Sequence, residues 1–103
     1  MSRIRISAVS YLNSKPFLLG LEQSGFAGQV DLSLDMPARA ADKLLNDEVD
    51  ISLVPVAIIP QLETPKIISP YCIGADGNVL TVSLFSNVPL EQIKTVYLDY
   101  QSR

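Results

Sequence analysis

The stretch Ser10-Tyr11-Leu12-Asn13-Ser14-Lys15-Pro16-Phe17 joins an alternating apolar segment to an amphipathic one. Before it, Arg3-Ile4-Arg5-Ile6-Ser7-Ala8-Val9 alternates and is rich in β-branched residues, which predicts a strand. After it, Phe17, Leu18 and Leu21 fall on one face of a helix. Pro16 suits the first helical position, where a missing N–H costs nothing. Asn13 or Ser14 can cap the orphan amides ahead of it. A polar loop that leaves a strand end and opens a helix is where an α/β protein holds an anion, because free N–H groups and the positive helix end meet there. A plain cap and turn has the same sequence pattern.

The same alternation of strand and helix continues along the chain. Gly25-Phe26-Ala27-Gly28 reads as a turn, and residues 29–34 as a second short strand. Asp35 can cap the next helix, with Pro37 near its first position. In that helix Ala38, Ala41, Leu44 and Leu45 form the buried stripe, while Arg39, Asp42 and Lys43 face outward. A third strand is expected over residues 50–54, closed by Pro55. Strand-helix-strand-helix-strand with helices of this size argues for a parallel sheet with right-handed crossovers.

Beyond Pro55 the pattern changes. Val56-Ala57-Ile58-Ile59, between two prolines, reads as one helical turn. Strands are expected over residues 67–73, 79–86 and 95–98, with an Asp76-Gly77 hairpin signal before the longest of them. Pro89 opens a short helix through Ile93. No repeat, low-complexity segment or Gly/Ser linker interrupts the 103 residues.

Composition narrows the chemistry. Hydrophobic residues make up 48 % and charged residues 18 %, which is globular and neither disordered nor fibrous. The net charge of −3, with eight scattered Lys and Arg, argues against nucleic acid as a partner. No apolar run approaches the ~20 residues of a membrane span. Met1 leads straight into the first strand without a secretory signal pattern, so a cytoplasmic location is expected. The single cysteine, Cys72, leaves no internal disulfide and reads as a small core residue.

Histidine is absent, which removes an imidazole base, a triad and a histidine metal site from these residues. No P-loop or GxGxxG pattern occurs. Asp42, Asp47, Glu48, Asp50, Glu63 and Glu91 sit on helix surfaces or element ends and are assigned structural or solvated roles. What remains are small neutral polar groups at strand ends: Ser10, Tyr11, Asn13 and Ser14, then Ser52, then Ser86 and Asn87. In an open parallel sheet the carboxyl ends of strands face one crevice, so the groups after the first and the longest strand can converge there. They suit recognition of carboxylates and hydroxyls.

The wording of four segments points further. AVSYLNSKPFLLGLE, LDMPARAADKLLNDEVDISLVPVA, CIGADGNVLTVSLFSNVPLEQIKTV and the terminal LDYQSR occur in that order between Ala8 and Arg103. Together with the strand from Ile4, they resemble the chorismate dehydratase family of the futalosine route to menaquinone. A sister family, the 1,4-dihydroxy-6-naphthoate synthases, opens with a Cys-Pro-Asn-Asp type sequence, whereas this chain has Tyr11-Leu12-Asn13.

The resemblance implies a lobe of the type II periplasmic-binding-protein fold, mostly parallel sheet with flanking helices, and a ligand held between two lobes. Residues 1–94 would then form a first, incomplete lobe, and residues 95–103 the crossover strand and the start of a second. On that reading the chain is truncated and by itself inactive. The implied reaction removes water from chorismate to give 3-[(1-carboxyvinyl)oxy]benzoate, a carbon–oxygen lyase step without cofactor or metal. Asn13 and Ser86 would contact the reacting end. Ser10, Tyr11, Ser14 and Asn87 would shape the substrate pocket, and Ser102 and Arg103 would begin a carboxylate loop, with Arg103 suited to a bidentate pair. The alternatives are a non-catalytic small-anion binding module of the same fold and the sister synthase. The partner expected is a small dicarboxylate, not a membrane, and a homo-oligomer is left open.

Overall fold

The computed structural model describes residues 3–80 and 82–100. Its ordered part is a three-stranded parallel sheet: β1 (Ile4–Val9), β2 (Val30–Asp35) and β3 (Ile51–Ser52), in the spatial order β2-β1-β3. Two helices connect them, α1 (Lys15–Gln23) and α2 (Pro37–Leu45). The chain is an α/β protein with helices flanking a parallel sheet, as the alternation along the sequence requires.

Register follows from the side-chain pattern. Ile4 stands opposite Val30 and Val9 opposite Asp35, while Ile6 and Ser7 stand opposite Ile51 and Ser52. A slip of one residue would turn Ala8 and Val30, both buried, to the opposite face. The chain steps from β1 to β2 in one direction and from β2 past β1 to β3 in the other. Right-handed crossovers then put α1 and α2 on opposite faces of the sheet.

The helices begin and end for local reasons. Both carry proline in their first turn. Ala40 and Ala41 of α2 are wholly buried, and their small size lets the helix approach the sheet closely. The Ser52 hydroxyl donates to the Ala40 carbonyl at 3.2 Å, tying α2 to β3. At its far end α2 closes with the Glu48 amide on the Lys43 carbonyl (2.8 Å) and the Asp47 amide on the Leu44 carbonyl (3.3 Å). This is a Schellman pattern, and Asp47 takes the left-handed position with φ of 58°. Aspartate tolerates that backbone better than most non-glycine residues.

The amino ends of the strands are fastened by charge. Arg3 Nε meets Asp31 Oδ1 at 2.6 Å, joining β1 to the start of β2. Arg5 grips Asp50 with Nη2 on Oδ1 at 2.8 Å and Nε on Oδ2 at 3.2 Å, joining β1 to the entrance of β3. Arg39 and Glu48 pair across α2 and the following turn at 3.0 and 3.2 Å. Asp47, Glu48 and Asp50 therefore have the structural placement expected of them, with Asp47 4.0 Å from the Arg5 guanidinium.

After Gln61 the structure departs from the sequence expectations. Residues 56–61 form a 3₁₀ turn that buries Ile58, and Leu90–Gln92 form another behind Pro89, both as the prolines suggest. The strands expected over 67–73, 79–86 and 95–98 do not form among the described residues, and the Asp76-Gly77 segment is a bend with Gly77 at φ of 91°, not a hairpin. Strand propensity reports a fit to a pleated surface, and these segments have no such surface to lie on. Leu80, Phe85, Tyr97 and Leu98 are 81 to 95 % exposed. Cys72, expected in a core, is exposed for the same reason. The third strand is shorter than expected, two residues against five.

The result is an elongated molecule of 57 × 27 × 21 Å. Its radius of gyration is 16.5 Å, where a compact chain of this length has about 13 Å. Its accessible surface is 8531 Å², where a compact chain of 11.3 kDa exposes about 5,700 Å².

Candidate functional site

A strand order of β2-β1-β3 places a topological switch point beside β1, between it and β3. In open parallel sheets the crevice at the carboxyl ends of the strands, at such a point, is where ligands bind. The loop from Ser10 to Ser14 leaves the carboxyl end of β1, and Leu53-Val54-Pro55 leaves that of β3. The Arg3 and Arg5 ion pairs lie at the opposite ends of the same strands. Fastening charge and candidate site are thus separated by the length of the sheet.

The loop itself is a 3₁₀ turn, Leu12–Ser14, running directly into α1. The Ser14 amide donates to the Tyr11 carbonyl at 3.1 Å and closes the turn. Neither of the capping roles expected here is taken up. The N-cap of α1 falls on Ser14, whose side chain makes no capping bond, and Asn13 sits exposed inside the turn. The reason is that the chain already turns helically at residue 12, so the first amides find backbone carbonyls. Ser10 is exposed at the exit of β1 and Tyr11 is half-buried. Ser14 is wholly buried, yet its Oγ has no hydrogen-bond partner. A buried hydroxyl without a partner is costly and is uncommon in folded proteins.

A second polar cluster lies behind this loop, and sequence reasoning missed it. Asp35, expected to cap α2, does not: the N-cap is Met36, with no side-chain capping bond. The Asp35 carboxylate instead accepts from Ser7 Oγ (2.7 Å), Ser33 Oγ (3.0 Å) and Lys43 Nζ (2.8 Å). Lys43, expected to face outward, turns in against the sheet, and its side chain is only 17 % exposed. Its Nζ also donates to Ser33 Oγ at 3.1 Å. Burial pushes the Asp35 carboxyl up, but the hydrogen bonds from Lys43, Ser7 and Ser33 outweigh it and hold the group below the ordinary carboxylate value. Ser7 and Ser33 face each other in the ladder, a register that no local pattern in the sequence announces.

Ser86, after the longest expected strand, is engaged locally. The Ser86 hydroxyl donates to the Val88 carbonyl (2.8 Å) and accepts from the Val88 amide (3.1 Å), so both of its hydrogen bonds lie within its own turn. Asn87 is exposed beside it. Among the described residues of 79–86 none pairs with the sheet. Ser52 is engaged with α2 and is structural. Ser102 and Arg103 lie outside the described residues. Among the described residues no group of three or more His, Cys, Asp or Glu is placed to hold a metal, and no helix is long and apolar enough to cross a membrane.

A family model described as menaquinone biosynthesis matches residues 4–103. The chain belongs to that family. The match begins at the first residue of β1 and covers the sheet, both helices, the Ser10–Ser14 loop and the irregular second half. No solved structure matches the chain.

Proposed function

We propose that this protein is a chorismate dehydratase, a cytoplasmic lyase that removes water from chorismate in menaquinone biosynthesis. The observation that carries the reading is a neutral, hydrogen-bonding loop at the sheet's switch point in a chain of the menaquinone-biosynthesis family. The lobe would be of the type II periplasmic-binding-protein kind. An exposed, unpaired thiol at Cys72 suits a reducing compartment.

Chorismate carries two carboxylates and a ring hydroxyl. In the elimination a ring C–H bond and the C–OH bond break, the proton and hydroxide leave as water, and the ring becomes aromatic. Aromatisation drives the reaction, so the protein has to orient the substrate and assist the departing hydroxyl. Asn13, exposed in the 3₁₀ turn, offers its amide N–H to that oxygen. Ser10 and Tyr11 line the approach, with the buried Ser14 behind the turn, and Ser86 and Asn87 reach the ligand once residues 79–86 pack. A carboxylate of the substrate serves as the base. One helix end contributes only about 0.3–1 kcal/mol to an exposed anion, so the two carboxylates need several further donors.

Incubating the product of the full open reading frame with chorismate and following the products by chromatography tests the proposal. The expected outcome is 3-[(1-carboxyvinyl)oxy]benzoate, formed without added metal or nucleotide. Chorismate that binds but is never consumed would point instead to a non-catalytic anion module. Turnover of the sister synthase's substrate alone would assign the chain to 1,4-dihydroxy-6-naphthoate formation.

A further inference from the structure

We infer that Asp35 and Lys43 are positioning residues for the Ser10–Ser14 loop, acting from α2 through the end of β2. Asp35 is the last residue of β2 and stands opposite Val9, the last residue of β1. Its backbone carbonyl accepts the Ser10 amide at 3.3 Å, the bond that fixes where the loop leaves the sheet. Its carboxylate is held from three sides by Ser7 of β1, Ser33 of β2 and Lys43 of α2. One residue therefore joins both strands, the helix and the first amide of the loop.

The pair is well placed for this. The Asp35 and Lys43 side chains are 14 % and 17 % exposed, the least exposed of the ion pairs among the described residues. Water therefore screens it less than the Arg3, Arg5 and Arg39 pairs. A carboxylate with three donors also has little freedom to rotate, and its backbone is held with it. If the pair only glued α2 to the sheet, a carboxylate anywhere along β2 would serve. Its location on the residue whose carbonyl receives the loop is what couples the two.

The inference rests on the loop being the site, and the test separates the two ideas. Lys43→Met removes the charge and keeps the stem, Lys43→Arg keeps the charge, and Asp35→Asn keeps shape and backbone. Amide exchange followed by NMR reads the loop without any assay of activity. In Lys43→Met and Asp35→Asn the Ser10 amide should exchange on the order of tenfold faster, while the amides inside β1 change much less. Lys43→Arg should restore it. Equal acceleration of Ser10 and the β1 interior would mean a general loss of stability and would overturn the inference.

Where wild-type protein turns over chorismate, KM in Lys43→Met should rise by roughly tenfold at a temperature where the variant is fully folded. A loss of folded protein alone lowers kcat per mole and leaves KM where it was. An unchanged KM, with full activity per folded molecule, would also refute the positioning role. Wild-type protein that leaves chorismate untouched removes the functional reading, and the exchange result still decides the mechanical one.

Discussion

Replacing Ser14 by alanine should make the protein more stable. Ser14 is wholly buried at the N-cap of α1, and its hydroxyl has no partner. Serine-to-alanine changes at an N-cap usually cost about 0.5–2 kcal/mol because a capping bond is lost. Here no side-chain capping bond exists to lose. An unsatisfied buried hydroxyl costs about 1–3 kcal/mol, which alanine would recover. Against this stands the small void left by one oxygen, roughly 10–15 Å³, worth about 0.3 kcal/mol at ~24 cal/mol per Å³. The balance is a gain of about 0.7–2.7 kcal/mol. For a domain of this size that raises Tm by roughly 4–8 °C per kcal/mol. Thermal melts of the two proteins, followed by circular dichroism, give the sign directly. A lower Tm for Ser14→Ala would show that the hydroxyl is hydrogen-bonded in solution and that the reasoning fails. If the hydroxyl is kept for a ligand, the stabilised variant should also bind chorismate more weakly, a trade between stability and function.

Other perturbations bear on charge, site and surface. The Arg5 guanidinium, hydrogen-bonded to Asp50, holds that carboxyl at about 2 against an ordinary 3.8. A depressed carboxylate stabilises the fold fully above its unfolded value and loses that contribution as pH falls through the folded one. Melting temperature should therefore drop between about pH 4 and pH 2, and Asp50→Asn should remove part of that slope; identical slopes would refute the assignment. Asn13→Asp should leave folding stability within the ~0.5 kcal/mol typical of surface changes, while chorismate turnover falls on the order of a hundredfold as a negative charge meets an anion. Equal turnover would leave Asn13 as a turn residue only. The exposed Leu80, Phe85, Tyr97 and Leu98 should make the 103-residue chain self-associate. Sedimentation showing a monomer at every concentration tested would contradict this.

What the sequence determined by itself is the first half of the molecule. Alternation over residues 3–9 and 29–34, three-four spacing over 37–45, and prolines at both helix starts are local signals. Each was realised within a residue or two, because neighbouring residues suffice to satisfy them. The polar loop between Ser10 and Pro16 was legible for the same reason. Tertiary structure alone decided three things. It shortened the third strand and left the described residues of 67–73, 79–86 and 95–98 without strand structure, because strands gain stability from partners that no local pattern supplies. It closed the Ser86 hydroxyl onto Val88 in its own turn, since convergence of strand ends requires both strands to be in one sheet. And it turned Asp35 and Lys43, read as a cap and a solvated charge, into a part-buried pair. A residue at a strand end and one eight positions later on a helix meet only when that helix folds back on the sheet, and the low exposure that follows gives the pair its strength.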